Sequence, residues 1–461
     1  MRSSLVSLLG CALSVAMAGK VSAQTVAPAP MPAMTLPEAL AYAAQHQPSL
    51  LAARARFEAA QRDTDIPRGL WYPRVGATAQ ILGGTTNNTT ASFVTTPVLD
   101  LPRIGGTRQA PPIAWQPYAS SLAGIGVRQE LFDFGRIGAL EAAYDATAQA
   151  EGARADADRL DVALTVEETY FAVHAGKAVL RAADQATQRA RLHRDESAAG
   201  VHSGLRSPIE LTRAEADFSR FEVAKVRAAG GLDIAQAIFA AAVGIAEARL
   251  DAAGEPAAPP AAPPESTFPN AADRDPVVRE AISRLQAQRA LTLVAEAELR
   301  PDLFITAGAN ARAGGGPAAG ADGAWGSGFV PDVPNWDAAL VLSWPIYDRT
   351  SVARAEASRV REVQRRAELS LARQRVNGAL QQVFASYQVA GQAIPALERS
   401  VNAAQANHAQ AEARFKAGLG SSVELADAEA LRVQAEIDLA IGRFEHARAR
   451  ARLGRAVSEV P

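Results

Sequence analysis

Gly204-Leu205-Arg206-Ser207-Pro208-Ile209-Glu210-Leu211-Thr212-Arg213-Ala214-Glu215 recurs as Gly418-Leu419-Gly420-Ser421-Ser422-Val423-Glu424-Leu425-Ala426-Asp427-Ala428-Glu429, identical at seven of twelve positions. Each copy reads as the turn between two helices. Gly204 or Gly418 closes the first helix, Ser207 or Ser421 caps the next, and Glu210 or Glu424, three residues on, can complete a capping box. Pro208 stands at a first helical position, where a missing N–H costs nothing. Alanine-rich heptad sequence flanks both copies, so each, with Leu205 and Leu419 at its apex, marks the tip of a long antiparallel helical hairpin.

Working outward, Arg136 to about His202 contains no proline and reads as one helix, roughly 100 Å long at about 1.5 Å per residue. The return helix runs from Pro208 to about Leu250. Residues 251–269 are a Pro/Ala linker. The pattern then restarts: Pro276 precedes Pro301 as Pro48 precedes Pro73, a second long helix runs from Arg349 to Ala417, and Val423 to about Arg455 returns. Upstream, Thr35 opens a short helix and Pro48 a helix to Leu70. Weak alternation at about 74–83, 120–132, 302–312 and 336–346 gives four strands, joined in pairs by Gly/Thr/Pro-rich stretches. The chain is a duplication: residues 24–250 form one unit, 270–461 the second.

The packing pattern is a heptad seam. Val423, Ala426, Ala430, Val433, Ile437, Ala440 and Phe444 recur at alternating spacings of three and four, as do Leu397, Val401, Ala404, His408, Ala411 and Phe415 on the second long helix. Alanine seams allow close approach but bury little area, so the hairpins need further helices beside them.

Residues 1–23 read as a secretory signal, with Arg2, an apolar run to Ala18, and small residues before Gln24. The only cysteine, Cys11, lies inside it, where Leu8-Leu9-Gly10-Cys11 faintly resembles a lipoprotein signal. Removing Arg2 and Lys20 leaves 45 basic against 49 acidic residues. Nothing in that balance points to nucleic acid. No later stretch reads as the roughly 20 apolar residues of a spanning helix, so entry into a membrane requires a β-barrel.

A search for catalytic or cofactor chemistry finds none. The six histidines show no metal-ligand spacing. Ala175-Gly176-Lys177 lacks the earlier glycine of a phosphate loop. The carboxylates, spaced three or four residues from arginines, read as a solvated face. No cofactor, metal or enzymatic activity is expected. Trp71, Tyr72, Phe132, Phe134, Trp344 and Tyr347 all fall where a helix meets a strand, as the aromatic girdle of a membrane barrel would.

The duplicated halves, the junction Leu131-Phe132-Asp133-Phe134-Gly135-Arg136, and the tip Phe415-Lys416-Ala417-Gly418-Leu419 leading into Val423-Glu424-Leu425-Ala426-Asp427-Ala428 resemble the TolC-type outer-membrane efflux protein family. The resemblance spans nearly all of the mature chain. It implies a mainly α protein with a membrane β-barrel, in which a homotrimer forms a 12-stranded barrel continued by an α-helical periplasmic tunnel. It further implies an exit duct in the outer membrane, in contact with its lipid, served by a periplasmic adaptor and by an inner-membrane pump or secretion ATPase. By the same resemblance an acidic constriction falls on Glu424 and Asp427; at the matching positions of the first half Glu210 and Arg213 can pair along their own helix, with Arg206 nearby as a partner for a neighbour's carboxylate. Loops 84–118 and 314–334 lie outside the cell. Tyr347-Asp348-Arg349-Thr350 departs from the pattern by lacking the glycine found at Gly135. A periplasmic adaptor or a structural coiled-coil protein of the envelope is the alternative.

Overall fold

The computed structural model describes residues 33–85, 117–204, 206–245, 249–254, 271–314 and 333–458. The segment read as a secretory signal and most of the two loops between paired strands, expected at 84–118 and 314–334, lie outside them. In chain order the elements are α1 (Leu36–His46), α2 (Pro48–Asp63), α3 (Asp65–Gly69), β1 (Arg74–Thr85), β2 (Pro117–Phe132), α4 (Arg136–His202), α5 (Pro208–Val243), α6 (Ala271–Arg274), α7 (Pro276–Ala297), β3 (Asp302–Gly314), β4 (Val333–Ser343), α8 (Arg349–Lys416) and α9 (Ser422–Ala456).

Four boundaries differ from the sequence reading. The helix from Pro48 stops at Asp63, and the short α3 contains Pro67, whose ring disfavours helical backbone at Ile66. The last strand is Val333–Ser343 rather than 336–346, because Pro345 cannot donate to a ladder. The return helix ends at Val243, where Gly244 takes φ +94°. Finally, residues 251–254 are not a free linker. Met34 pairs with Ala252 in a parallel bridge, Lys177 Nζ reaches Asp251 at 2.7 Å, and the Tyr170 hydroxyl donates to the Ala253 carbonyl at 2.6 Å. Around this knot Val166, Tyr170, Val173, Phe239, Val243 and Leu250 form the main core cluster.

The strands form one antiparallel sheet in the order β1-β2-β3-β4. Cross-strand partners share a face, and the register aligns Val75 with Val127, Ile125 with Ala309, and Ile305 with Leu340. That face is apolar and exposed, with Val75, Ile81, Ile125, Leu131, Ile305, Trp336, Leu340 and Leu342 all open. The opposite face carries Arg74, Thr78, Gln80, Arg128, Glu130, Thr306, Asn310 and Asp337. Both outer strands, β1 and β4, have an unpaired edge.

The two junctions into the long helices use an aspartate differently. Asp133, buried, accepts from the Gly135 and Ile137 amides at 3.0 and 2.5 Å, and the turn between is made with φ +53° at Phe134 and +91° at Gly135. Asp348 is itself the N-cap of α8, accepting from the Thr350 amide at 2.8 Å and the Ser351 hydroxyl at 2.6 Å. The missing glycine is therefore explained: this turn has no left-handed residue to place.

The helices form an open arc. α4 packs against α5 and α2 on one side and α7 and α9 on the other, while α8 packs against α9 and α7. Within the arc, α5 runs end to end into α2: Gln47 donates its side-chain amide to the carbonyls of Ala241 and Ala242, capping α5 from the next helix. α9 meets α7 likewise, through Arg455 and the buried N-cap Asp275 at 3.1 Å. Pro395 sits inside α8, where it cannot bond to the Gly391 carbonyl. At that level Gly391 admits the His446 side chain, and Gly442 of α9 admits Leu397. Among the described residues one helix, α5, is by length and composition apolar enough to cross a membrane, contrary to the sequence reading. Its apolar residues include Val226, Ile234 and Ile238, exposed along one edge of the arc.

The splice between α5 and α2 yields a test. A Cβ on Gly244 would come 3.1 Å from the Gln47 Cα in a left-handed backbone, so Gly244→Ala should cost about 1–3 kcal/mol. Gly230 in α5 has open space around its Cβ position, and Gly230→Ala should instead gain up to about 1 kcal/mol of helix propensity. Thermal unfolding of the detergent-solubilised protein reads both, as midpoints moved in opposite directions.

Candidate functional site at the hairpin tips

The two repeats close their first helices as their glycines require. Gly204 has φ +72° and Gly418 φ +73°. The Arg206 amide donates to the Gly200 carbonyl at 3.1 Å, and the Leu419 amide to the Arg414 carbonyl at 2.9 Å, tying down the last carbonyls of α4 and α8. Leu205 lies outside the described residues; Leu419 is exposed.

The caps that follow are not alike. The Ser421 hydroxyl accepts from the Glu424 amide at 3.2 Å, but Ser207 makes no side-chain cap, so neither tip forms the full box expected. The glutamates are drawn elsewhere. Glu424 faces Arg414 across the turn at 3.3 Å, and Glu210 faces Arg206 at 3.7 Å rather than Arg213, which is exposed and without an ion pair among the described residues. Asp427 is exposed, on the same side of α9 as Glu424, Leu431 and Gln434, and has no counter-charge among the described residues.

Arg206 packs within its own chain against the second hairpin. Its stem lies on Gly200 and its guanidinium over the Phe415 ring, 4.1 Å from the centroid. His193 meets the same ring edge-on at 4.9 Å. Phe415, buried on α8, thus joins the first tip to the second.

Above it, charge is buried in the alanine-rich seam. Glu429 accepts from Arg189 Nε of α4 at 2.9 Å, from Arg432 Nε and Nη2 at 3.1 and 2.9 Å, and lies 3.0 Å from His408 Nε2 of α8. Arg432 also reaches Glu436 at 3.2 Å. Glu429 and Arg432 are buried, together with Ala186, Ala190, Phe221 and Val433. The reading of such pairs as a solvated face fails here. The signal was available: His408 occupies a seam position on α8, and a seam histidine facing Glu429 calls for a buried polar partner. Arg189 Nη2, His193 Nδ1 and Ser197 Oγ, spaced four residues apart on one face of α4, are buried with no hydrogen-bond partner among the described residues.

The six aromatic residues singled out from the sequence are all exposed where the sheet meets the helices. Phe132 and Phe134 pack edge to face at 4.8 Å, and Trp344 Nε1 donates to the Leu299 carbonyl at 3.3 Å. Among the described residues no group of three or more His, Cys, Asp or Glu side chains is placed to hold a metal.

A half-open sheet with an apolar outer face, standing on long paired helices, defines a membrane-embedded channel component. The sequence profile of the outer membrane efflux proteins matches residues 39–245 and 268–458. The chain belongs to that family. No curated protein matches it. Among solved structures it is similar to the outer-membrane channel OprN (19% identity, TM-score 0.73, covering 92% of this chain and 90% of that one). It is also similar to the outer membrane protein VceC of Vibrio cholerae (17%, 0.71, 92% and 96%) and to the CmeC channel of Campylobacter jejuni (14%, 0.72, 92% and 85%). The protein is an exit duct of the outer membrane whose helices stand in the periplasm.

The seam charges set a pH dependence whose signs can be worked out. Burial pushes Glu429 up to about 7 despite Arg189, so its contribution is full below its ordinary value of 4.5 and is lost as pH rises through about 7. Burial lowers His193 and His408 below 6.5, and their contribution is present above that value and lost as pH falls. Between pH 4.5 and about 7 the two effects therefore oppose each other, Glu429 weakening the seam as pH rises and the histidines strengthening it, and neither acts far above pH 7. In Glu429→Gln the opposing carboxylate is gone, so the thermal midpoint should rise more steeply from about pH 5 to 7 than in wild type, with both flat from about pH 8 to 9. A variant whose midpoint follows the wild-type profile between about pH 5 and 7 would show that Glu429 does not titrate in the seam.

Proposed function

We propose that three copies of this chain close into one duct, a 12-stranded barrel above a tunnel of helices. The observation that carries this is the sheet with two open edges and an apolar outer face. In lipid, unpaired edge groups cost several kcal/mol each, and four strands cannot close on themselves. The arc of helices supports the same closure, since its two flanks expose Val226, Ile234 and Ile238 on α5 and Val360, Val363 and Val389 on α8. The exposed aromatics fit a rim at the lipid–water boundary, and loops 84–118 and 314–334 would face outward. A periplasmic adaptor meets the tips, and an inner-membrane pump or secretion ATPase delivers small molecules or polypeptides. The chain itself carries no catalytic role.

The constriction of this duct is assigned first to Asp427 and second to Glu424, because Arg414 already offsets Glu424 and nothing described offsets Asp427. Three copies would place a ring of carboxylates at the tips, favouring cations and binding divalent ions. Reversal potentials in planar bilayers test this. Asp427→Asn should lower cation preference and divalent block, Glu424→Gln should add little, and Arg414→Gln should raise cation preference by releasing Glu424. Heat-sensitive migration as a trimer tests the assembly itself; a monomer that conducts nothing would end the duct reading.

A further inference from the structure

We propose that Arg74 and Arg128 form a binding site for an oxyanion, a carboxylate, phosphate or sulfate group of passing cargo, on the inward face of the sheet. The proposal rests on the duct reading, because it is closure that turns this face toward the lumen.

Arg74 and Arg128 are direct cross-strand partners, so two guanidinium groups project from one face at one level. Like charges opposite each other destabilise a sheet. The nearby carboxylates do not balance them. Glu130 is buried 3.8 Å from Arg128, but it is shared with Arg136 at 3.7 Å, and Asp302 faces Arg136 at 3.9 Å. Arg74 is exposed and has no ion pair among the described residues. Of the three arginines at this level, Arg128 and Arg136 share the carboxylates and Arg74 alone is left without an ion pair among the described residues.

Arg128 is also held in position. Its guanidinium lies 3.7 Å from the centre of the Phe304 ring, and its buried Nε has no acceptor among the described residues. A guanidinium fixed flat on an aromatic, beside a second one free to adjust, suits the planar fork of an oxyanion. There is room for it. The next level on the same face is Gly76, Gly126 and Gly308 in register, with Asp337 at its end, and the level beyond brings Thr78, Gly124 and Asn310. Three adjoining positions without side chains leave a flat floor beside the arginine pair. Asp337, across that floor, would orient a ligand with its anionic end toward the arginines.

The test uses the full-length protein in planar bilayers, with sulfate as the probe in a chloride background. Sulfate should partially block the wild-type current, and the half-blocking concentration should rise about tenfold in Arg74→Gln and in Arg128→Gln. Because Arg74 is exposed, Arg74→Gln should assemble as wild type does, and it decides the matter if Arg128→Gln fails to fold. A wild-type channel that conducts but ignores sulfate, or equal block in Arg74→Gln, would overturn the site and leave the duct standing. A wild-type protein that never conducts would overturn the duct, and the site with it.

Discussion

Every backbone amide and carbonyl placed in hydrocarbon needs a partner, and the four-stranded sheet leaves two rows of them unpaired. The outward set of Val75, Ile125, Ile305 and Leu340 fits lipid, but the edges of β1 and β4 do not. Much else follows from that one deficit. The sheet cannot be a finished object, and the helices beneath it, joined to it through Asp133 and Asp348, inherit its incompleteness as an arc with two exposed flanks. Alanine seams are adequate inside such an arc, where each helix has neighbours on both sides, and inadequate at its ends.

Cohesion within the arc has a different character at each height. Near the junction of α1, α5 and α4 it is apolar, built on Val166, Val173, Phe239 and Val243. Toward the tips apolar area gives way to Glu429 with Arg189, Arg432 and His408 around it, to Arg206 stacked on Phe415, and to buried polar atoms on α4 that lack partners among the described residues. Buried charges of this kind add little net stability compared with apolar packing, yet removing one partner is costly. They hold a defined geometry rather than a deep one, which places the tips at the low-stability end of the molecule.

The fold was legible in the sequence because its signals are local and repeated. Gly204 and Gly418 announce left-handed caps, the prolines fix helix starts, and three-four spacing marks the seams. The errors are also instructive. Pro67 and Pro345 were passed over, and each moved a boundary. The tip chemistry was legible only in part: Glu424 and Asp427 were singled out by position, but Arg414, ten residues before Glu424, was not seen to face it. Glu429 with Arg189 was missed because their pairing joins helices separated by 240 residues, and no local pattern reports that distance. Arg206 stacks on Phe415 of the other hairpin, a contact that no local pattern announces.

α4 has 67 residues and α8 has 68, and both run unbroken where their partners are spliced from two pieces. At about 1.5 Å per residue the two rods agree in height to within a single residue's rise. Such a pair is a ruler. Adding one heptad to α4 alone would lift one tip about 10 Å above the other and slide Arg189 past Glu429 and His193 past Phe415. The reach of the duct from sheet to tips is thus written into two helix lengths that can change only together, and the spliced partners must absorb the same increment at Gln47 and Asp275.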